Sequence, residues 1–262
     1  MKTLALSGDR NVLQQGRAVD LVTDTPASTA QMDLVRDQHR VDILCQKLDT
    51  RLKRLFMADM DATMVEEETL DELAAYAGIK DQIAAITARA MNGELDFKAA
   101  LRERVSLLKG LPTSAMSETA AKMHYMPGGS ELIAALKSNG VRCILVSGGF
   151  TYFTSKVAET LGFDANHGNT LNIGPDQKLD GTVGEPILDK SFKKACLEEN
   201  AAKIGCPLSA CVAIGDGAND LPMLQTAGLG VGFHSKPVLR EQLPNHILYN
   251  GLDALIYALG LH

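Results

Sequence analysis

The stretch Leu55-Phe56-Met57-Ala58-Asp59-Met60-Asp61-Ala62-Thr63 decides the fold. Four apolar residues followed at once by an acidic turn are too few for a helix and suit a strand buried on both faces. Runs of the same texture recur at 143–146 before Ser147-Gly148-Gly149, at 211–214 before Gly215-Asp216-Gly217, at 229–233 and at 246–248. Helical patterns occupy the intervals at 131–138, 152–161, 193–204 and 221–227.

Strands alternating with helices predict an α/β fold: a Rossmann-like parallel sheet with helices on both faces. Ligands in such sheets gather at the C-terminal strand ends, where these Asp, Ser and Gly residues stand. One interval is too long, since 88 positions separate Asp59 from Ser147 and a βαβ crossover needs only ~30 residues. Helical patterns at 69–77, 80–91, 97–108 and 114–123 fill that interval, separated by Gly78, Asn92-Gly93 and Gly110-Leu111-Pro112. The expected organisation is a catalytic core over 51–64 and 127–262 with an inserted helical cap over 65–126. Residues 1–50 form an N-terminal appendage with a helix-like patch at 32–48 and otherwise no firm periodicity.

A chain of 262 residues with 45% apolar composition can fill one substantial core. The formal net charge of -6 and the absence of a basic stripe interleaved with aromatics exclude nucleic acid as the expected partner. No stretch approaches the ~20 apolar residues of a membrane span, and the first residues do not read as a signal peptide. Cys45, Cys143, Cys196, Cys206 and Cys211 lack C-x-x-C spacing and read as reduced thiols, so the expected address is the cytoplasm. Oligomeric state is open, and a homodimer is compatible with everything above.

In an extended segment, residues i and i+2 share a side, so Asp59 and Asp61 can face one bound phosphate. A carboxylate attacking a phosphate ester needs a cation to offset charge and an acid to protonate the leaving oxygen. Asp59 suits the attack and Asp61 the proton transfer. Magnesium takes oxygen ligands and keeps several waters, so Asp59, Asp216 and the Asp61 carbonyl form a reasonable protein share. Ser147-Gly148-Gly149 offers a hydroxyl and approachable amides to phosphoryl oxygens, and Lys193 a fixed positive charge. Each feature also has a plain reading: Asp-x-Asp as an N-capping turn, Ser-Gly-Gly as a structural turn, Lys193 as a solvated helix residue.

The ordered set Asp59-x-Asp61-x-Thr63, Ser147-Gly148-Gly149, Lys193 and Gly215-Asp216-Gly217-x-x-Asp220 resembles the four motifs of the haloacid dehalogenase superfamily. More narrowly, the chain resembles the phosphoserine phosphatase family. The residues that carry this are 57–65 with Glu68, Met91-Asn92-Gly93 with Phe97, 101–105, and Val146-Ser147-Gly148-Gly149-Phe150-Thr151. The resemblance runs from about Arg54 to the C-terminus. It implies an aspartyl-phosphate at Asp59, acid/base work by Asp61, Mg2+ held by Asp59, Asp61 and Asp216, and Asp220 behind the metal. It further implies that Ser147, Gly148, Lys193 and Asn219 hold or support the phosphoryl group.

By the same similarity, Arg104 would grip a substrate carboxylate, Glu68 an ammonium, and Met91 and Phe97 would close the pocket against water. Spacing alone leaves Glu68 and Arg104 as surface charges and Met91 and Phe97 as core residues. The activity implied is hydrolysis of O-phosphoserine to serine and phosphate, the last step of serine synthesis. A phosphatase or phosphotransferase acting on another small phosphomonoester is the alternative. Two departures from the family pattern stand out: Ala62 where Ser is common, and the acidic run Glu66-Glu67-Glu68 at the cap entrance. Relatives with long N-terminal extensions carry a regulatory module there. About 50 residues are too few for a complete one, so the expectation is an appendage, helical or strand-bearing, that packs on the core or on a partner.

Overall fold

The computed structural model describes residues 8–91 and 94–261, with the Met91 side chain outside that description. In chain order the elements are β1 (Gly8–Gln14), β2 (Ala18–Thr23), α1 (Thr29–His39), β3 (Leu55–Ala58), α2 (Thr69–Tyr76), α3 (Lys80–Met91), α4 (Phe97–Ser106), α5 (Ser114–Ala120) and α6 (Gly129–Ser138). There follow β4 (Arg142–Phe150), α7 (Thr151–Leu161), β5 (Ala165–Asn169), β6 (Leu171–Ile173), β7 (Leu179–Val183) and α8 (Lys190–Lys203). The chain continues through β8 (Cys211–Gly215), α9 (Leu221–Thr226), β9 (Leu229–Phe233), α10 (Pro237–Arg240), β10 (His246–Ile247) and α11 (Ala254–Leu259).

The main sheet has six strands in the order β10-β9-β8-β3-β4-β5, every neighbouring pair parallel. Side chains alternate across it as the pleat requires. Phe56, Cys143, Leu145, Val212 and Ile214 enter one apolar cluster with α6, α7 and α11. Leu55, Met57, Ile144, Val146, Cys211 and Ala213 enter another with α8 and α9. Burial on both faces explains why these strands carry unbroken apolar runs, and why the runs were legible.

The insert after β3 is helical, as expected: α2 to α5 form a cap. Its two connections run side by side, with Met126 N–H donating to Met64 O at 3.0 Å and Glu66 N–H to His124 O at 2.9 Å. Leu73, Leu101, Val105 and Met116 of the cap belong to the same apolar cluster as Phe56 and Leu145 of the core. Cap and sheet therefore share packed surface.

One edge strand, two hairpins and one helix depart from the sequence reading. β5 reads Ala-Asn-His-Gly-Asn and has no apolar run; it is the sheet's edge, mostly half-buried, and needs no continuous apolar face. The hairpins β1-β2 and β6-β7 are separate two-stranded sheets; β1 and β2 hold no buried residue and β6-β7 buries Leu171, Leu179 and Val183 alone, so no continuous apolar run marks them. The helix expected over 32–48 spans Thr29–His39 instead: a Ser28/Gln31 capping box starts it, and Arg40 in the left-handed region ends it.

After α1 the appendage runs along the core's β10 edge. Asp42 accepts backbone N–H bonds from Leu248 at 2.7 Å, Tyr249 at 3.2 Å and Asn250 at 3.1 Å. Arg36, only 1% exposed, donates to the carbonyls of Ile43 and Pro244. Arg51 forms a two-pronged pair with Asp20 of β2 and donates to the carbonyls of Tyr257 and Ala258, which ties the hairpin to α11.

Candidate active site

The parallel ladder brings the motif residues together at one rim. Asp59 leaves β3 beside β8, its N–H donating to Ile214 O at 3.0 Å. Ser147 to Gly149 lie among the last four residues of strand β4, where the ladder to β5 shifts register between Val146 and Phe150. Asp216 follows β8 directly, and Lys193 reaches the same rim from the first turn of α8.

Lys193 is buried and bridges two acids, with Nζ 2.7 Å from Asp59 Oδ1 and 2.6 Å from Asp220 Oδ1. Burial works against its charge, but Asp220 and Asp59 outweigh that and hold its pKa above the ordinary lysine value. Asp59 Oδ1 also accepts the Met60 N–H at 2.8 Å. Oδ2 of Asp59 keeps no protein donor among the described residues. Burial and the Asp220 carboxylate push the pKa of Asp59 upward while Lys193 pulls it back.

Asp61 is turned the other way. Its Oδ2 accepts from Ser147 Oγ at 3.0 Å and its Oδ1 from Thr69 N–H at 2.8 Å, the first residue of α2. Ser147 Oγ in turn accepts the Gly149 N–H at 2.8 Å, which fixes the hydroxyl's direction. Desolvation and the Asp59 charge raise the Asp61 pKa, the direction an acid needs in order to carry a proton near neutrality. Ala62 follows at φ 52, a left-handed position that costs a non-glycine residue about 1 kcal/mol.

Carboxylate oxygens of Asp59, Asp216 and Asp220, all buried, lie within 4.8 Å of one another. Three hard oxygen donors at this spacing, crowded enough to raise the Asp59 pKa, fit a magnesium-sized dication. The Asp61 carboxylate is engaged by Ser147 and Thr69, which leaves its backbone carbonyl as the group Asp61 could offer a cation. Asp220 joins the acids directly while also bonding Lys193 and, through Oδ2, the Gly217 N–H at 3.2 Å. Gly215 is required here, because a Cβ on it would lie 2.5 Å from the Asp220 carboxyl carbon.

The cap residues approach from above. Phe97 lies over the phosphate loop: a Cβ on Gly148 would stand 3.4 Å from its ring. The Phe97 side chain remains partly exposed, so it sits at a mouth rather than in a core. Arg104 is half-buried, and among the described residues no acid lies within ion-pair distance of it. Burial lowers its pKa, opposed by Asp71 and Glu68, which places Glu68 in its electrostatic neighbourhood. Glu68 is pushed upward by desolvation and by Asp61. Asn219 is exposed beside Gly217. The expectation for the Met91 side chain falls outside the described residues.

One charged neighbour escaped the sequence reading. Lys236 Nζ is 2.8 Å from Asp216 Oδ2 and 3.7 Å from Glu68 Oε1. The available signal was its place: it closes the loop after the apolar run 229–233, at the same rim as the other motifs. The cavity of about 540 Å³ beside Glu67, Tyr76 and His124 contains none of Asp59, Asp61 or Asp216.

Comparison with known proteins decides what these parts belong to. The family model for haloacid dehalogenase-like hydrolase matches residues 56–225. The chain belongs to the haloacid dehalogenase-like hydrolases. Among these hydrolases it is similar to a phosphoserine phosphatase of Streptococcus thermophilus, 44% identical over 210 residues, covering 79% of this chain and 97% of that one. It is also similar to a phosphoserine phosphatase of Streptomyces coelicolor, 43% identical over 221 residues and 84% of this chain. The match spans only 54% of that relative's length. A solved phosphoserine phosphatase, described as a phospho-aspartyl intermediate analogue, superposes with a TM-score of 0.72 at 38% identity, covering 78% of this chain and 98% of that one. Like other haloacid dehalogenase-like hydrolases, the chain carries a parallel sheet with an inserted helical cap.

Proposed function

We propose that the chain is a Mg2+-dependent phosphatase that hydrolyses O-phosphoserine to serine and phosphate in serine synthesis, with 65–126 as its cap and 51–64 plus 127–262 as its core. The observation that carries this is the pairing of roles at the rim: Asp59 held by Lys193, and Asp61 held apart from it by Ser147 and Thr69. Two carboxylates five atoms of backbone apart thereby occupy different environments, one suited to attack and one to proton transfer. Relatives named phosphoserine phosphatase support the substrate.

In this reading Asp59 Oδ2 forms a bond to phosphorus as the bond from phosphorus to the seryl oxygen breaks, and Asp61 delivers its proton to that oxygen. Asp61 then takes a proton from a water that attacks phosphorus, and Asp59 leaves as a carboxylate with inorganic phosphate. Asp59, Asp216 and the Asp61 carbonyl would hold Mg2+, with the Asp220 carboxylate close enough to join them; the ion would supply charge neutralisation to the phosphoryl oxygens. Ser147, the Gly148 amide and Lys193 bind those oxygens, and Asn219 supports the loop. Arg104 binds the substrate carboxylate and Glu68 its ammonium, while Phe97 and Met91 exclude water. The free thiols of the described residues and the absence among them of a helix long and apolar enough to cross a membrane favour a cytoplasmic address.

Phosphate release from a panel of small phosphomonoesters, with and without Mg2+, tests the reading. O-phosphoserine should be the preferred substrate, and Asp59→Asn should fold and release none. Equal turnover across the panel, or near-normal turnover by Asp59→Asn, contradicts it.

A further inference from the structure

Five acids face the rim: Asp59, Asp61, Glu68, Asp216 and Asp220. Against them stand Lys193, Lys236 and Arg104. The two lysines differ in what holds them. Lys193 is 3% exposed and gripped by two buried carboxylates. Lys236 contacts one buried carboxylate, Asp216, at 2.8 Å, and its own side chain is 58% exposed.

The Lys236 backbone is fixed to the same place, its N–H donating to the Asp216 carbonyl at 3.0 Å. Only the side chain is therefore free to move, through a long stem with one end in water. The ammonium hangs over the metal-site turn, 3.8 Å from where a Cβ of Gly217 would be. Glu68 Oε1, on the cap side, lies 3.7 Å from it and offers a second resting place.

We propose that Lys236 is the built-in counter-ion of the acid cluster: its ammonium occupies Asp216 until a divalent cation binds and is then expelled toward Glu68 and solvent. The inference rests on the reading of Asp59 and Asp216 as cation ligands. A dication binds carboxylate oxygen at about 2.1 Å, so an ammonium left on the same carboxylate would sit within a few ångströms of it. Like charges at that distance repel strongly in a partly desolvated rim, whereas an ammonium that is already half in water loses little on leaving. Lys236 thus lowers the apparent cation affinity and keeps Asp216 paired when no ion is present. It is a positioning residue and touches no reacting atom.

Two measurements on the full chain, both without substrate, test this. Calorimetric titration with MgCl2 compares the unaltered chain with Lys236→Gln, Lys236→Arg and Asp216→Asn. Lys236→Gln should bind Mg2+ at least about threefold tighter, because one nearby positive charge is gone. Lys236→Arg should stay near the unaltered value. In parallel, acetylation of lysines in the unaltered chain is followed by peptide mass spectrometry with and without Mg2+. Modification of Lys236 should accelerate several-fold on adding the ion, with Lys194 as an unmoved control.

Binding by the unaltered chain that is lost in Asp216→Asn establishes the cation site, and the behaviour of Lys236 then decides the inference by itself. Unchanged or weaker binding in Lys236→Gln overturns it. Tighter binding without any change in Lys236 acetylation also overturns it, since that result is repulsion at a distance with no displacement. If the unaltered chain binds no Mg2+, the cation reading falls and this inference with it.

Discussion

Lys193 Nζ stands 2.7 Å from Asp59 Oδ1, joining the first turn of α8 to the end of β3 with both side chains out of water. A buried ammonium on a buried carboxylate orients that carboxylate as much as it neutralises it. With Oδ1 occupied, Oδ2 is the oxygen presented to an incoming phosphorus.

Removing the ammonium leaves Asp59 and Asp220 buried without their partner, and breaking such a pair costs about 3 kcal/mol or more. Lys193→Met should therefore lower stability by that order in urea denaturation and abolish turnover. A variant of unchanged stability would show that Lys193 is not the partner holding these acids in place.

Arg104 is half-buried in the cap with no acid within ion-pair distance among the described residues, so its guanidinium is available to a substrate carboxylate. Arg104→Ala should reduce kcat/KM for O-phosphoserine by about 100-fold, the worth of a charge-assisted pair of hydrogen bonds, and leave an aryl phosphate within a few-fold. Equal losses on the two substrates would remove Arg104 from the specificity argument.

His246 is buried at the β10 edge. Its Nε2 lies 2.7 Å from the Leu243 carbonyl and its Nδ1 2.9 Å from Ser235 Oγ. These partners assign a neutral ring that donates from Nε2 and accepts at Nδ1. Burial lowers its pKa below 6.5, helped by Arg36 and Arg240. The unfolded chain thus takes up the proton first, and the contribution of His246, complete above pH 6.5, is lost as pH falls through the lower folded value. The advantage in urea midpoint of the unaltered chain over His246→Asn should therefore shrink on acidification through this window, a comparison in which the opposing slopes of the raised carboxyls of Asp59, Asp61 and Glu68 cancel. His167, also lowered by burial, contributes a residual slope in both proteins.

Asp42 gathers three backbone N–H groups of residues 248–250 and the Asn250 amide, and so ties the appendage to the core. Asp42→Ala should cost about 1–3 kcal/mol, since several donors lose a charged acceptor at once. Hydrogen exchange should rise at Leu248 and Tyr249. Unchanged exchange there would mean that water replaces the carboxylate at no cost.

What the sequence disclosed follows from burial. Strands β3, β4 and β8 are covered on both faces, so their apolar runs were unmistakable, and the acids after them fell where a parallel sheet collects ligands. β5 lies at the sheet's edge, where half-burial permits Asn, His and Gly, and the two hairpins are not covered on both faces, so no unbroken apolar run marked any of them. Ser28 and Gln31 did encode the start of α1, but the extended path of 40–47 depends on Asp42 meeting residues 248–250, a contact more than 200 positions away. Lys236 was hidden for a different reason: its partner Asp216 belongs to another motif, and only the fold brings them together.

The central claim is that Asp59 becomes the phosphoryl carrier. It is tested most directly by mixing the chain with isotopically labelled O-phosphoserine and Mg2+, quenching in acid within milliseconds, and locating the label by peptide mass spectrometry. Label on Asp59, absent in Asp59→Asn, is the predicted result. A burst of released serine with no phosphoryl group on Asp59, or label on any other side chain, would contradict it.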